Sequence, residues 1–197
     1  HEITPRETAL LDNPRFCPHF HIPLQSGDDG VLRRMNRRYT AAEFLRAVGD
    51  IYRRVPDAAI TTDALVGFPG ESEEAFASTL RVCEAARVSK IHAFPYSDRA
   101  GTPAARFPDK VDPRELADRC DRLDALGRRL GDAYRAQFEG KTVSVLFEGR
   151  DEPTGLAGGF TDRYVIVLAD SEESLRYRIL PVRVTGRSPD TLLGTLA

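Results

Sequence analysis

Histidine and aspartate side chains that could do chemistry recur in three apolar segments of this sequence. His19 and His21 stand two residues apart in the first segment, Asp63 lies in the second, and His92 lies in the third. Side chains alternate between the two faces of a β-strand, so His19 and His21 share one side of theirs. Imidazoles and a carboxylate that face a protein interior are costly unless they pair or bind something. The pattern therefore predicts an interior that holds a ligand.

Two hypotheses of different chemistry follow from these four side chains. One is a metal-dependent hydrolase, because imidazole and carboxylate groups are the ligands of catalytic zinc. Structural histidines would give the same H-x-H pattern. The other hypothesis is a barrel that holds a small organic cofactor against a nucleic-acid substrate.

A polar loop comes after each of the three segments. These loops cover residues 25–27, 67–71 and 96–99. In parallel α/β folds, ligands bind beyond the carboxyl ends of the strands, because loops and helix N-termini converge there. The sequence therefore predicts a ligand site formed by these loops, and the alternative is that they are ordinary turns.

The elements that must position these loops follow one repeated pattern, in which an apolar run gives way to a stretch of helical periodicity. The predicted strands cover residues 19–24, 58–68 and 90–97. A helix is predicted from Thr40, which fits a capping box, and another from the N-cap Ser72. Strands that are separated by helices indicate a parallel sheet.

The second part of the chain has a different pattern. Asp112 as N-cap, Pro113 at the first helical position and Glu115 in a capping box predict a long helix. Short alternating runs then predict a small antiparallel β-barrel, with strands at residues 143–147, 164–168 and 179–184. The predicted domains are residues 1–138 and 139–197.

The composition excludes several classes of protein. The 197 residues carry 28 basic and 30 acidic side chains, so any contact with nucleic-acid phosphate must come from a local patch. The opening residues lack the apolar core of a signal peptide, and a cytoplasmic protein, or a piece of a longer one, is expected. Cys17, Cys83 and Cys120 are too far apart for a self-contained zinc or iron–sulfur site.

Four segments, in order and at matching intervals, resemble the signatures of the radical-SAM methylthiotransferases. They are residues 21–27, 35–40, 63–71 and 94–105. The remainder of the chain resembles the TRAM domain, a small β-barrel associated with RNA binding. The resemblance implies an α/β fold, the C-terminal half of a radical-SAM partial TIM barrel, followed by a small antiparallel, OB-like β-barrel.

Residues 17–21 and 92–97 are most similar to the branch that adds a methylthio group to threonylcarbamoyladenosine near the anticodon of tRNA. The resemblance implies S-adenosyl-L-methionine (SAM) and two [4Fe-4S] clusters as cofactors. The cysteine motifs that bind those clusters do not occur in this chain. We therefore expect the chain alone to be inactive, with the cluster ligands in an N-terminal half of the same polypeptide. The further alternative is a module that only binds RNA.

Strand-end position and the resemblance together assign residue roles, and they assign no catalytic residue and no metal ligand to this chain. The predicted cofactor contacts are Gln25, Ser26, Asp63, Gly67, Glu71 and Tyr96. The predicted contacts with the tRNA anticodon stem-loop are Arg37, Arg38, Ser97, Arg99, Arg176, Arg178 and Arg183.

Structural alternatives remain open for several of these residues. Gln25 and Ser26 could cap the next helix, Asp63 could pair with Thr61 or His92, and Glu71 could favour a helix N-terminus. The arginines at positions 33, 34, 37 and 38 could form a solvated face rather than a phosphate contact.

Overall fold

The computed structural model describes Asn13 and residues 15–197. The chain divides into two compact units between Leu130 and Gly131, inside its longest helix, with residues 17–19 grouped with the second unit. The predicted division at residue 138 lies just after that helix. Within the described residues, no helix is long and apolar enough to cross a membrane.

The first unit contains a three-stranded sheet and the helices that follow its strands. The strands, in sheet order, are β1 (His19–His21), β2 (Ala59–Val66) and β3 (Lys90–Pro95). The helices are α1 (Asp29–Arg34), α2 (Ala41–Arg54), α3 (Glu73–Ala85) and α4 (Pro113–Ala136), and Pro103–Arg106 forms a 3₁₀ turn. Strands β2 and β3 are parallel, as the sequence predicted.

Strand β1 is shorter than predicted because Pro23 has no N–H to donate to the sheet. The hydroxyl of Thr62 fills the gap, donating to the Ile22 carbonyl at 2.7 Å and accepting from the Leu24 amide at 3.0 Å. Pairing with β2 resumes at Gln25, whose amide donates to the Asp63 carbonyl at 2.8 Å. The predicted segment 19–24 therefore does lie along β2, with a side-chain bridge in its middle.

The predicted helix starts are present. The Thr40 hydroxyl accepts from the Glu43 amide, and the Glu43 carboxylate accepts from the Thr40 amide, which completes the capping box. The Ser72 hydroxyl accepts from the Ala75 amide. At α4, the Asp112 carboxylate accepts from the Arg114 amide at 2.8 Å.

One face of the sheet is packed, and the other is open. Ile60, Ala64 and Val66 of β2 are buried in clusters formed with α2, α3 and α4. Asp63 of β2 lies on the opposite face and is only partly covered, and Phe94 of β3 is 50% exposed. The open face therefore carries polar and aromatic side chains that the fold does not bury.

The second unit contains a closed five-stranded barrel with the strand order β4-β5-β6-β8-β7. The strands are β4 (Thr142–Arg150), β5 (Ala157–Thr161), β6 (Ile166–Ala169), β7 (Ile179–Arg187) and β8 (Thr191–Leu196). The prediction of a wholly antiparallel barrel is wrong, because β6 and β8 pair in parallel. Strand β7 pairs with β4 and closes the barrel. Strand β8 lies between β7 and β6, antiparallel to β7 and parallel to β6.

The sequence predicted three of these strands and missed β5 and β8. Strand β5 reads Ala-Gly-Gly-Phe-Thr, which lacks the β-branched alternation of a strand. Position 159 is occupied by glycine because β4 passes too close to leave room for a side chain. A Cβ at this position would lie 2.8 Å from the Phe147 Cα, and the β4–β5 register shifts next to it, between Phe147 and Gly149.

We expect Gly159→Ala to destabilise the chain by about 1–3 kcal/mol, because the added methyl group meets backbone that has no room to move. Gly186→Ala is the matched control, since a Cβ there would meet no atom within 4 Å. Urea denaturation of both variants measures the difference. Equal unfolding midpoints would contradict the close approach of β4 and β5.

Candidate cofactor site

The open face of the sheet brings together the polar side chains that the strand alternation predicted. His21 Nε2 lies 3.1 Å from Asp63 Oδ2, and His21 Nδ1 lies 3.0 Å from Thr61 Oγ1. Asp63 pairs in register with His92, whose ring centroid is 5.9 Å from that of His21. The partner of Asp63 is therefore His21, where the sequence offered Thr61 or His92.

This group does not have the geometry of a metal centre. His21 Nε2 lies within hydrogen-bond distance of Asp63 Oδ2, and the other ring nitrogen of His21 lies within hydrogen-bond distance of the Thr61 hydroxyl, which is not a zinc ligand. No three His, Cys, Asp or Glu side chains of the described residues form a group that could hold a metal. The hypothesis of a metal-dependent hydrolase thus has no support.

The cysteines also do not suit an iron–sulfur cluster. Cys17 is exposed, Cys83 is buried and Cys120 is partly covered. Burial raises the pKa of Cys83 to about 12, and burial with nearby acidic groups also raises the pKa of Cys120. Cys83 packs inside a core cluster, and no group of three possible metal ligands that includes a cysteine occurs among the described residues.

The open face does present a hydrogen-bond acceptor and an aromatic surface, which are groups that an adenosyl cofactor can bind. Adenine offers an aromatic ring, and the rest of SAM offers hydroxyl groups and an ammonium group. Phe94 presents half of its surface, and the partly exposed Asp63 carboxylate can accept from either kind of donor. These residues fit the cofactor that the resemblance implies.

Gln25 and Ser26 lie where the first segment leaves the sheet. Gln25 adopts φ of +64° and bridges to Ala64 in parallel. Ser26 is fully buried, and its hydroxyl accepts from the Asp28 amide at 3.2 Å. The alternative that Gln25 or Ser26 caps the next helix is wrong, because α1 (Asp29–Arg34) is capped by Asp28, whose carboxylate accepts from the Val31 amide at 2.8 Å.

The glycines of two strand-end loops are required by packing within the protein. A Cβ on Gly27 would lie 2.5 Å from the Ser78 carbonyl oxygen. Gly67 has φ of +77°, and a Cβ there would lie 2.5 Å from Leu116 Cδ1. Their lack of a side chain is therefore explained without a ligand.

The loop of residues 67–71 is held by a buried ion pair. Glu71 is 4% exposed, and its carboxylate accepts from the Gly67 amide at 2.8 Å and from Arg119 Nη1 at 2.9 Å. Arg119 Nη1 also donates to the Glu71 carbonyl at 3.0 Å, and Arg119 Nη2 donates to Glu115. Burial raises the pKa of Glu71, although the Gly67 amide and Arg119 favour its charged form. The carboxylate thus fixes the loop from inside.

Arg119 was missed by the sequence reasoning, although the sequence carries a signal for it. It lies three residues after Leu116 and four before Leu123, in the stripe of α4 that faces the core. A charged residue in such a stripe needs a buried partner. Phe94 was also left out of the predicted site, although strand alternation places it on the face of His92.

The third loop leaves its predicted residues accessible. Tyr96 packs edge-on against Phe68, and its hydroxyl donates to Asp98 Oδ1 at 3.0 Å. Partial burial and the Asp98 carboxylate raise the pKa of Tyr96. Ser97 and Arg99 are exposed.

Two groups of exposed arginines lie on the two units. Arg33, Arg34, Arg37 and Arg38 are all exposed, and none forms an ion pair with a described residue. In the second unit Arg176, Arg178 and Arg183 are exposed, and the Arg176 guanidinium lies 4.7 Å from the ring centroid of Tyr177. Tyr177 is 73% exposed, so the barrel surface presents an aromatic ring beside cations.

Comparison with known proteins gives similarity at the level of family and of fold. Residues 3–83 match the radical SAM superfamily. Over 183 residues the chain is 43% identical to the tRNA-2-methylthio-N(6)-dimethylallyladenosine synthase of Symbiobacterium thermophilum, covering 92% of this chain and 39% of the relative. Over 187 residues it is 36% identical to the threonylcarbamoyladenosine tRNA methylthiotransferase MtaB of Bacillus subtilis, covering 93% of this chain and 42% of the relative.

A solved structure with a similar fold is coproporphyrinogen III oxidase (HemN) from Escherichia coli, described as a radical SAM enzyme. The TM-score is 0.50 at 13% identity, and the match covers 89% of this chain and 44% of that chain. At that identity the similarity concerns the fold alone. The chain spans about two fifths of the length of the curated relatives it matches.

We expect Arg119→Met to destabilise the chain by about 3–5 kcal/mol, because it leaves the Glu71 carboxylate buried without its cation. Arg122→Met is the matched control on the same helix. Arg122 also pairs with Glu73, at 2.6 Å, but it is 39% exposed, so its loss should cost less than about 1 kcal/mol. Urea denaturation measures both, and equal losses would show that the buried pair does not hold the loop.

Proposed function

The chain belongs to the radical-SAM methylthiotransferase family, and we propose that it forms the C-terminal part of an enzyme that adds a methylthio group to an adenosine derivative of tRNA. The observation that carries this proposal is the similarity to two kinds of tRNA-modifying relative along more than nine tenths of the chain. The open face of the sheet, with a carboxylate and an exposed ring, supports a cofactor site there.

In the proposed enzyme, SAM supplies a radical precursor and a methyl group when it is bound. Asp63 accepts hydrogen bonds from the cofactor, and Tyr96 and Phe94 offer aromatic surface to its adenine. Gln25 lies next to this site, where the first segment pairs with Ala64 of β2. Glu71 acts through the loop that it shares with Gly67, since the pair with Arg119 keeps this backbone in one conformation.

The two [4Fe-4S] clusters of the proposed enzyme are held by residues outside this chain. Cys83 lies in the core, and no cysteine of the described residues belongs to a group of three possible metal ligands, which supports this division of roles. We therefore expect no methylthio transfer from the chain alone. Its partner in catalysis would be an N-terminal half of the same polypeptide.

The anticodon stem-loop of tRNA is the proposed substrate surface. Arg37 and Arg38 would contact phosphate, and Arg99 with Ser97 would approach the modified nucleotide from the third strand-end loop. In the barrel, Arg176, Arg178 and Arg183 are exposed, and the Arg176 guanidinium lies beside the exposed ring of Tyr177. Cations beside an exposed ring suit single-stranded RNA, because bases stack on the ring while phosphates meet the cations. This supports the proposed TRAM identity of the barrel.

Two adenosine derivatives are candidates for the substrate. The motifs at residues 17–21 and 92–97 favour threonylcarbamoyladenosine. The higher identity to the Symbiobacterium relative favours dimethylallyladenosine as the second candidate.

Deletion of the gene that encodes this chain, followed by mass spectrometry of tRNA nucleosides, tests the proposal. We expect one methylthio nucleoside to disappear while the same nucleoside without the methylthio group accumulates. The accumulating nucleoside identifies the substrate. Unchanged methylthio nucleosides would contradict the proposed reaction, and RNA binding without any such change would favour the binding-only module.

Two variants of the intact enzyme separate cofactor binding from substrate binding. Asp63→Ala should weaken SAM binding, and Arg99→Ala should reduce tRNA modification while SAM binding stays nearly intact. Each lost charged hydrogen bond should cost about 1.5–3 kcal/mol. Calorimetric SAM titration and nucleoside analysis measure the two effects.

The matched controls are Asp50→Ala and Arg46→Ala, which change exposed residues of α2 that pair only with neighbours on that helix. Both controls should retain SAM binding and modification. Normal SAM affinity in Asp63→Ala together with full modification in Arg99→Ala would show that neither residue has its proposed role.

A further inference from the structure

A row of apolar side chains crosses the barrel at one level of four neighbouring strands. Leu146 of β4 pairs in register with Ile179 of β7 on one side and with Phe160 of β5 on the other. Phe160 pairs in turn with Ile166 of β6. Because neighbouring strands lie 4.7–4.9 Å apart, these four residues span roughly 14 Å across the strands.

These side chains point out of the barrel. Val145 and Phe147, on either side of Leu146, are fully buried, so the alternation along β4 turns Leu146 outward. Leu146 is 40% exposed and Ile179 is 67% exposed, so the two paired residues do not cover each other. Outward positions of an antiparallel sheet that faces water are ordinarily polar. Apolar side chains at this level therefore indicate a surface that is made to be covered.

Tyr164 extends the row in a backbone conformation that a tyrosine rarely adopts. It lies in the turn between β5 and β6, with φ of +60°. Its ring stacks on Phe160, with 4.7 Å between the centroids, and the residue remains 67% exposed. Glycine or asparagine would adopt this conformation with less strain, so the turn itself does not require a tyrosine. An exposed ring that is kept at such a position points to a role in binding. Tyr164 and the four paired residues are called the apolar row below.

The charges beside the apolar row do not favour RNA. The row has no charged side chain, and the outward residues of β4 on its two sides are Ser144 and Glu148, both exposed. Next to Tyr164, Asp162 forms an ion pair with Arg163 at 2.8 Å. An RNA backbone would meet carboxylates here, and nucleobases cannot stack on aliphatic side chains. The row therefore suits the apolar side chains of a protein.

The size of the apolar row does not suit a stable complex between two separate chains. Such an interface uses about 20–30 residues on each partner, whereas the row has five. A partner on the same polypeptide needs less contact area, because the covalent link holds it at a high effective concentration. This chain corresponds to only 39% and 42% of the two relatives, so more than half of each relative lies outside the matched part.

We propose that the apolar row is the surface on which the rest of the polypeptide docks against the barrel, through a segment that presents apolar side chains. This rests on the proposed function, in which the half of the enzyme that binds the clusters lies outside this chain. The docked segment covers Leu146 and Ile179 in the middle of the contact, and the ring of Tyr164 covers one end of it. The barrel is thereby fixed to the half of the enzyme that carries the clusters.

Hydroxyl-radical footprinting of this chain alone and of the intact polypeptide tests the interface, because mass spectrometry then reports the exposure of individual side chains. Tyr164, Phe160 and Leu146 should be oxidised in the chain alone and should lose this oxidation in the intact polypeptide. Leu196 is the matched control, since it is 41% exposed on the same barrel and lies outside the row, and it should be oxidised in both. Equal oxidation of Tyr164 in both samples would overturn the proposal.

Variants of the intact polypeptide show whether docking causes the protection. Leu146→Glu should restore the oxidation of Tyr164, because a carboxylate cannot be buried there without a partner. Leu196→Glu should leave Tyr164 protected. Ile179→Thr keeps a β-branched strand residue and removes only apolar surface, and it should restore part of the oxidation. Continued protection of the buried Phe147 shows that the barrel is folded in each variant. Full protection of Tyr164 in Leu146→Glu would contradict the assigned surface.

Two other occupants give results that would overturn the proposal. Protection of Tyr164 in the chain alone by an added tRNA anticodon stem-loop, without protection in the intact polypeptide, would assign the row to RNA. Protection that appears as the concentration of the chain rises, with a dimer in sedimentation velocity, would assign it to a second copy.

Failure of the interface and failure of the proposed function are distinguishable. An exposed row in an intact polypeptide that still produces the methylthio nucleoside would refute the interface and leave the proposed function standing. A gene that encodes no further polypeptide would refute the proposed division of roles, and the interface with it.

Discussion

The buried ion pair between Arg119 and Glu71 is the interaction on which the ligand side of the sheet depends. Removing two charges from water costs several kcal/mol for each, and the fold recovers this only through the bonds they make. The Glu71 carboxylate holds the Gly67 amide, and Arg119 binds both the carboxylate and the carbonyl of the same residue. Through this pair, α4 determines the backbone that follows β2, the strand that carries Asp63.

The glycines of the loop of residues 67–71 resemble those of a ligand-binding loop. The conformation and packing of the protein itself largely account for them. Gly67 needs its positive φ and has Leu116 where a side chain would be. Gly70 also has a positive φ, of +76°, which residues with a side chain rarely adopt. A rigid, self-packed loop at a strand end costs little to order when a ligand arrives, so its structural role and a role in binding are compatible.

Local rules predicted most of the first unit. Helix starts depend on a few neighbouring residues, and the bonds of Thr40 and Ser72 could be read from their spacing. Alternation along the strands placed His21, Asp63 and His92 on one face. What spacing could not supply was pairing across elements: Asp63 had several possible partners, and Arg119 is recognisable only from its place in an apolar stripe. In the barrel, β5 was not predicted, because its Gly159 is required by the close approach of β4, which is a tertiary contact.

The open face of the sheet shows how one set of residue types can support different chemistry according to how many of them come together. Imidazole and carboxylate groups on neighbouring strands suggested a metal site from sequence, but the described residues offer no group of three possible ligands, and His21 forms a hydrogen bond with Asp63. A carboxylate paired with a neutral imidazole keeps its charge and gains a fixed orientation, whereas one bound to a metal gives up that charge to the ion. Beside a half-exposed phenylalanine, the first arrangement suits an organic cation with an aromatic ring.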